Sequence, residues 1–521
     1  MSAVAAPLQR LRAPATRFWA LPIELRVALG VAFLAGFSVA LRTQAIHARY
    51  WIDEGLSVGI GSHPLLDIPG VLRQDGSPPL YYMLLGVWMR IFGTGEADTH
   101  ALSVGIAMLI VPIAFAGGRA LFGPRAGWIA ALLAALNPFL TYYAQETRMY
   151  TLVVLLSMVM VTTFALGFVQ RRRAWLPVFA LSLALLVYTH NYGLFLGVGT
   201  VPALLALLHG DPDRRALLRD AALAYGAVAL VYLPWVPSLL FQARHTGAPW
   251  ANPPSPPTAL AGLTALLSGA SAATAFALAA GSGLASLLVG PRLRGPKARA
   301  ALALLVMLAA GFLVAWLNSQ ASPAWALRYL SVFLAPILLL GAAGLARAGT
   351  LGLVVLVGVV VLWFNPRTDR LNRKSNAHTA AVLVRDRLEP GDLVVATHPE
   401  QGPVMHVYLP PGLRWANSMG PVADPQVMDW RDVRDRLVAA KPRPTEDALV
   451  RTMRPGQKLL LVAPIIRSGS WRAPWTSLVR RRSAQWQRVL DHDERLSRVL
   501  AAPHLNGRRP KGVRLVLYER L

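Results

Sequence analysis

Asp53 and Glu54 stand side by side in Tyr50-Trp51-Ile52-Asp53-Glu54-Gly55, just after the first long apolar stretch of the chain. Two adjacent carboxylates at a helix exit hold a metal or act as a general base. The plainer alternative is a solvated helix cap beside an aromatic anchor. Four further groups pair charge with aromatic rings. Asp75-Gly76-Ser77-Pro78-Pro79-Leu80-Tyr81-Tyr82 reads as a capped, proline-led helix start. Glu146 and Arg148 lie in a short bend, Tyr142-Tyr143-Ala144-Gln145-Glu146-Thr147-Arg148-Met149-Tyr150, that needs neither charge, and the two could simply pair. His190 sits in the bend Tyr188-Thr189-His190-Asn191-Tyr192. Arg328, followed by Tyr329, opens an apolar segment, the wrong end of a helix dipole for a cation unless an anion joins it.

What must position these residues is a membrane. The 521 residues are 55% hydrophobic and 15% charged, against roughly 25% charged in a soluble domain. Eleven apolar segments recur, at 27–45, 100–118, 126–140, 150–169, 175–188, 193–208, 221–240, 272–289, 300–317, 329–345 and 351–364. Basic residues between them (Arg119 and Arg125, 171–173, 214–219, 292–299, Arg347) share one side, the cytoplasm, only if 79–92 does not cross. That segment, about 14 residues or ~21 Å as a helix, is expected to lie at or re-enter the outer surface. All five polar groups then face outward. A cysteine probe is clean here because the native chain has none. Gly95→Cys is expected to react with an impermeant reagent from outside; labelling from the cytoplasmic side alone would overturn this topology.

The expected organisation is a cytoplasmic tail at 1–25, a mainly α, polytopic catalytic domain at 26–364, and a small extracytoplasmic α/β domain at 365–521. The last alternates β-like runs (393–397, 458–463, 513–518) with helix-like ones (380–388, 429–440, 486–500). It carries 28 Lys+Arg against 15 Asp+Glu, half of the chain's +26. Such charge suits anionic lipid heads or an anionic acceptor. With no motif for nucleic acid beside it, no nucleic-acid partner is expected. Without a recognisable nucleophile or metal site, the domain is expected to dock acceptor and to be dispensable for the chemical step. The absence of cysteine excludes disulfides, thiolate metal sites and cysteine nucleophiles.

In order along the chain, Trp51-Ile52-Asp53-Glu54, Ser77-Pro78-Pro79-Leu80-Tyr81-Tyr82 and Gln145-Glu146-Thr147-Arg148-Met149-Tyr150 resemble the GT-C membrane glycosyltransferases. The nearest group is the bacterial family 39-like one, relatives of protein O-mannosyltransferases and the lipid A aminoarabinose transferase. Leu233-Pro234-Trp235-Val236-Pro237 and Arg328-Tyr329-Leu330 are similar to its later stretches. The resemblance covers about 26–345. It implies a sugar moved, with inversion, from a polyprenyl-phosphate donor to an extracytoplasmic glycan, lipid or protein, by an enzyme of the inner membrane in contact with its lipids. It casts Asp53 as general base with Glu54 completing the pair. Glu146 matches its second acidic position in the cavity, and Arg328 a basic residue near the lipid phosphate. Arg148, His190, Tyr329, Tyr81 and Tyr82, on the same outer side, are expected to bind substrate with them. No cofactor is certain. A divalent metal stays open, with Asp53 and Glu146 as its candidate ligands. Ser77 stands where the family usually has His, which weakens a metal or phosphate role at that spot. A transporter or flippase of lipid-linked sugars would share the spans and outer aromatics. The lack of an internal repeat and the clustering of acids at one interface favour the enzyme.

Overall fold

The computed structural model describes residues 21–209, 211–289, 295–364, 369–465, 473–501 and 512–521. Most of the 1–25 tail, Arg292, Arg294 and the boundary at Asn365 lie outside them.

All eleven apolar segments are helical. Ile23–Arg42, Glu96–Phe122, Tyr150–Val169, Arg214–His245, Ala270–Leu288, Pro296–Ala321 and Leu327–Leu345 are long and apolar enough to cross a membrane. Pro124–Leu136, Arg173–Thr189, Tyr192–Leu208 and Gly349–Trp363 are shorter apolar helices, as is Leu80–Phe92 within the segment read as surface-lying. Leu80–Phe92 buries Tyr81, Tyr82, Leu85 and Met89 and exposes Val87, Ile91 and Phe92. One face is thus core and the other apolar surface, as a helix lying against lipid requires. The long spans sort by burial: Tyr150–Val169 is central, 89% buried, whereas Ile23–Arg42 and Arg214–His245 are 17% buried and present Leu and Val outward. Asn137-Pro138 breaks the helix expected over 126–140. The freed carbonyls of Ala134 and Ala135 accept from the fully buried Arg42 guanidinium at 2.6 and 3.3 Å, which satisfies backbone that apolar surroundings would otherwise strand.

From Leu393 the chain forms a six-stranded sheet in the order β3-β2-β1-β4-β6-β5. The strands are β1 (Leu393–Ala396), β2 (Arg414–Asn417), β3 (Gly420–Pro421), β4 (Lys458–Ile465), β5 (Leu496–Ala501) and β6 (Gly512–Arg520). β1 runs parallel to β2 and β4, and β6 runs antiparallel to β4 and β5. The three β-like runs are β1, β4 and β6. The helix-like run at 486–500 is corrected: helix Pro474–Asp491 ends there, and β5 follows, paired with β6. Alternation divides the sheet's two faces. Leu459, Leu461, Val516 and Tyr518 pack on Trp486 and Leu490. Leu460, Val462, Leu515 and Leu517 join the same core as the helical bundle. The two parts therefore share a core.

Helix Gln401–Tyr408 seats directly on Ile52–Gly61, the helix that carries Asp53. Two glycines one turn apart allow the close approach, Gly55 to this helix and Gly59 to the segment that follows. A Cβ on Gly55 would lie 2.4 Å from Val404 Cα, and one on Gly59 2.0 Å from the Gln426 carbonyl oxygen. Residues 424–432 then cross the mouth of the bundle as a strap. His63 Nε2 meets Asp424 Oδ2 at 2.9 Å, the Trp430 amide donates to Gln74 O at 2.8 Å, and His245 Nδ1 meets Asp432 Oδ2 at 3.1 Å. Gly59→Val is expected to cost about 1–3 kcal/mol by overpacking and to loosen the strap. Limited proteolysis checks this: faster cleavage near 424–432 in the variant supports the contact, and unchanged cleavage refutes it.

Candidate functional site

Between the helix ends that meet the C-terminal part and the strap lies a cavity of about 520 Å³. Asp53, Tyr82, Arg148, His190, Arg328 and Tyr329 line it, six of the nine residues singled out above. Glu54, Glu146 and Tyr81 do not.

Asp53 occupies the first turn of its helix, and its Oδ2 lies 3.1 Å from Arg328 Nη2. The Arg328 guanidinium sits over Trp51, Trp250 and Tyr329, at 5.6, 5.3 and 5.5 Å from the ring centroids. This aromatic cage holds the cation by its quadrupoles without neutralising it. Its Nε is buried and without a hydrogen-bond partner among the described residues. Arg148 Nη1 donates to the Asp53 carbonyl at 3.1 Å and to Ser57 Oγ at 3.0 Å, pinning the helix start. Burial, with Arg148 and Arg328 near, pushes the His190 pKa down to about 3. The ring is neutral at pH 7. Its Nδ1 accepts from the Tyr192 amide at 3.1 Å, so Nε2 carries the proton and is a donor.

Asp75 also lines the cavity. Burial raises its carboxyl above the usual range. The loop behind it is held by Asn191 Nδ2 on Gly76 O at 3.2 Å and by Gln242 Nε2 on Leu72 O at 2.8 Å.

Glu54 lies behind the cavity wall, fully buried. Its Oε1 meets His100 Nε2 at 2.6 Å and accepts from the Thr147 amide at 2.9 Å. Its Oε2 takes Lys374 Nζ at 2.6 Å and the Trp51 amide at 3.3 Å. Burial acts to raise this carboxyl, but Lys374 and His100 outweigh it and hold it below the ordinary range. Both oxygens are committed to protein donors, and Glu54, expected beside Asp53, is not in the cavity lining. Glu146 is buried on the same side, its Oε1 3.9 Å from Lys374 Nζ. Tyr81 packs edge-on against Tyr82 in the core. As metal ligands the donors do not fit: Asp53 is turned to Arg328, Glu146 lies toward Lys374, and no cluster of three His or carboxylate groups suited to a metal occurs among the described residues.

Sequence reasoning missed Lys374, His100 and most of the outer wall. Glu400, Met428, Trp430, Ala473, Trp475 and Thr476 come to the cavity from the C-terminal part. The signal for Lys374 was a basic residue shortly after the last apolar helix with no acidic neighbour. These contacts point the other way from the expectation that this part is dispensable for chemistry. Truncation at Asn365 removes a cavity wall and the cation beside Glu54, and is expected to abolish transfer even to a small soluble acceptor. Robust turnover by the truncated, inserted protein would refute this.

Residues 76–241 match the family model described as dolichyl-phosphate-mannose-protein mannosyltransferase. No curated protein matches the chain by sequence. The fold is similar to ArnT from Cupriavidus metallidurans in the apo state, with TM-score 0.62 and 13% identity over 94% of this chain and 98% of that one. It is similar to the same protein bound to undecaprenyl phosphate, with TM-score 0.59, 14% identity, and 95% and 98% covered. It is also similar to the archaeal oligosaccharyltransferase AglB from Archaeoglobus fulgidus, solved with an inhibitory peptide and a dolichol-phosphate. There the TM-score is 0.56 at 11% identity, with 84% and 69% covered. The chain thus has the polytopic fold of the GT-C glycosyltransferases, the group its ordered motifs resemble.

Proposed function

We propose that the protein is a membrane glycosyltransferase that moves a sugar from a polyprenyl-phosphate donor to an extracytoplasmic acceptor with inversion. The observation that carries this reading is the caged Asp53–Arg328 pair at 3.1 Å in a cavity between the helix ends and the strap. A lipid phosphate is a good leaving group once its charge is met, and Arg presents a fork of donors suited to it. A sugar hydroxyl attacks only as its proton leaves, which needs a carboxylate within reach. The two needs are linked here. Without donor, Asp53 and Arg328 satisfy each other. When the donor phosphate takes the guanidinium, Asp53 is released as the base. The hydroxyl oxygen then bonds to the anomeric carbon, the carbon–oxygen bond to phosphate breaks, and the proton passes to Asp53. His190, held neutral, offers Nε2–H to a phosphate or sugar oxygen. Glu54, Glu146, His100 and Lys374 fix the backbone behind Asp53. No step is routed through a metal.

The localisation follows from the same reading: a multi-pass protein of the inner membrane with its C-terminal part outside. The test is purified protein in lipid nanodiscs given a panel of polyprenyl-phosphate sugars. Release of polyprenyl phosphate from at least one, faster with an added acceptor, is expected. No consumption of any, with the donor bound, would overturn the reading.

A further inference from the structure

Glycosyl transfer leaves the acceptor unnamed, and the cavity's outer wall is where it must enter. We propose that the acceptor is a saccharide, seated on a subsite formed by Glu400, Trp430 and Trp475; the proposal rests on the transferase reading above.

The three residues come from separate segments. Glu400 caps helix Gln401–Tyr408, Trp430 lies on the strap, and Trp475 is in the first turn of Pro474–Asp491. They are built into one unit. Trp475 Nε1–H donates to Glu400 Oε1 at 2.9 Å, and His398 Nε2 meets the same oxygen at 3.1 Å. That oxygen is fixed, and Oε2 has no such contact among the described residues. The Trp430 and Trp475 rings meet at 5.9 Å and 51°, an apolar corner in which Trp475, 1% exposed, backs Trp430, 8% exposed, whose remaining exposed part borders the cavity. The backbone of Trp430 is tied to Gln74 O, so the corner is preformed.

A pyranose or furanose presents C–H groups on one face and hydroxyl donors around its edge. Indole faces take the first, and carboxylates, which only accept, take the second. Charge argues the same way. The C-terminal part is strongly basic overall, yet the described residues it brings to the cavity carry one charge, that of Glu400, and it is negative. Asp75 adds a second carboxyl to the cavity lining. An anionic acceptor is disfavoured there, whereas a neutral polyol is matched. Met428, beside Trp430, also borders a second cavity of about 370 Å³ lined by Trp415 and Asn417, which gives room for a further sugar unit. Glu400 takes no proton in this scheme; it orients the ring whose hydroxyl meets Asp53.

The experiment uses the full chain in nanodiscs without donor. Saturation-transfer NMR is run with methyl mannoside, N-acetylglucosamine and methyl arabinofuranoside as probes, beside a Ser/Thr peptide. Saturable transfer to at least one saccharide is expected. It should fall at least about tenfold in Trp430→Ala and in Glu400→Gln, while both variants still bind undecaprenyl phosphate as a check that they are folded. Saturation by the peptide alone would overturn the proposal. So would equal saccharide binding by the variants and the wild type, or the absence of any saturable saccharide. Saccharide binding at this wall by a protein that consumes no lipid-linked sugar would sink the transferase reading and leave the subsite standing.

Discussion

Asp53→Asn lowers kcat for sugar transfer by about 10²–10⁴-fold, the range for loss of a general base, and does not weaken donor binding. The split follows from the ion pair. On the proposed mechanism the donor phosphate displaces Asp53 from Arg328, 3.1 Å away in the wild type. With Asn there, the guanidinium meets the phosphate without that competitor, so donor affinity stays equal or rises while the proton has nowhere to go. Arg328→Gln is expected to do the reverse and raise the donor KM most. Steady-state kinetics with donor and acceptor varied separately distinguish the two. A variant at Asp53 with wild-type kcat, or with kcat preserved and donor KM raised, would refute the base assignment.

Lys374→Met is expected to destabilise the protein by about 3–5 kcal/mol, the usual cost of removing one partner of a buried pair. Glu54 would be left fully buried with its Oε2 lacking the 2.6 Å ammonium. The effect is read as a fall in melting temperature in detergent. Glu54→Gln combined with Lys374→Met should recover most of the loss, because the stranded charge goes with its partner. If the double variant is no better than the single, the pair is not the source of the effect. The pH dependence has a definite sign. The folded-state pKa of Glu54 lies below its unfolded value, so its contribution is fully present above the ordinary carboxylate range near 4.3 and is lost as pH falls below it.

The apolar periods placed all eleven helices and three of the six strands, because each carries its own burial pattern in the local sequence. Asp53, Arg148, His190 and Arg328 were legible because charge beside aromatics at a membrane exit has no cheap structural reason. Glu54 and Glu146 looked the same in sequence. What sets them apart is Lys374, more than 200 residues beyond either, and nothing local announces that meeting. The short β2 and β3 lack a pattern long enough to read, and β5 follows a helix too closely to separate from it. Trp430 and Trp475 carried no signal either, since an isolated Trp in an α/β domain reads as core.

The helix bearing Asp53 is held by residues made much later. The Tyr50 amide donates to Tyr408 Oη across 358 positions, and Gly59 lies under Gln426. Contacts this distant in sequence close slowly and late. During synthesis the first spans insert long before Lys374, Glu400 or the strap exist, and domains form roughly in order of emergence. The nascent bundle is therefore inert: it contains Asp53 and, later, Arg328, but not the cation beside Glu54 or the outer wall. On the proposed function, competence waits until helix Gln401–Tyr408 and the strap close over the Asp53 helix. A chain interrupted in its last third would sit in the membrane with its spans in place and consume no lipid-linked sugar.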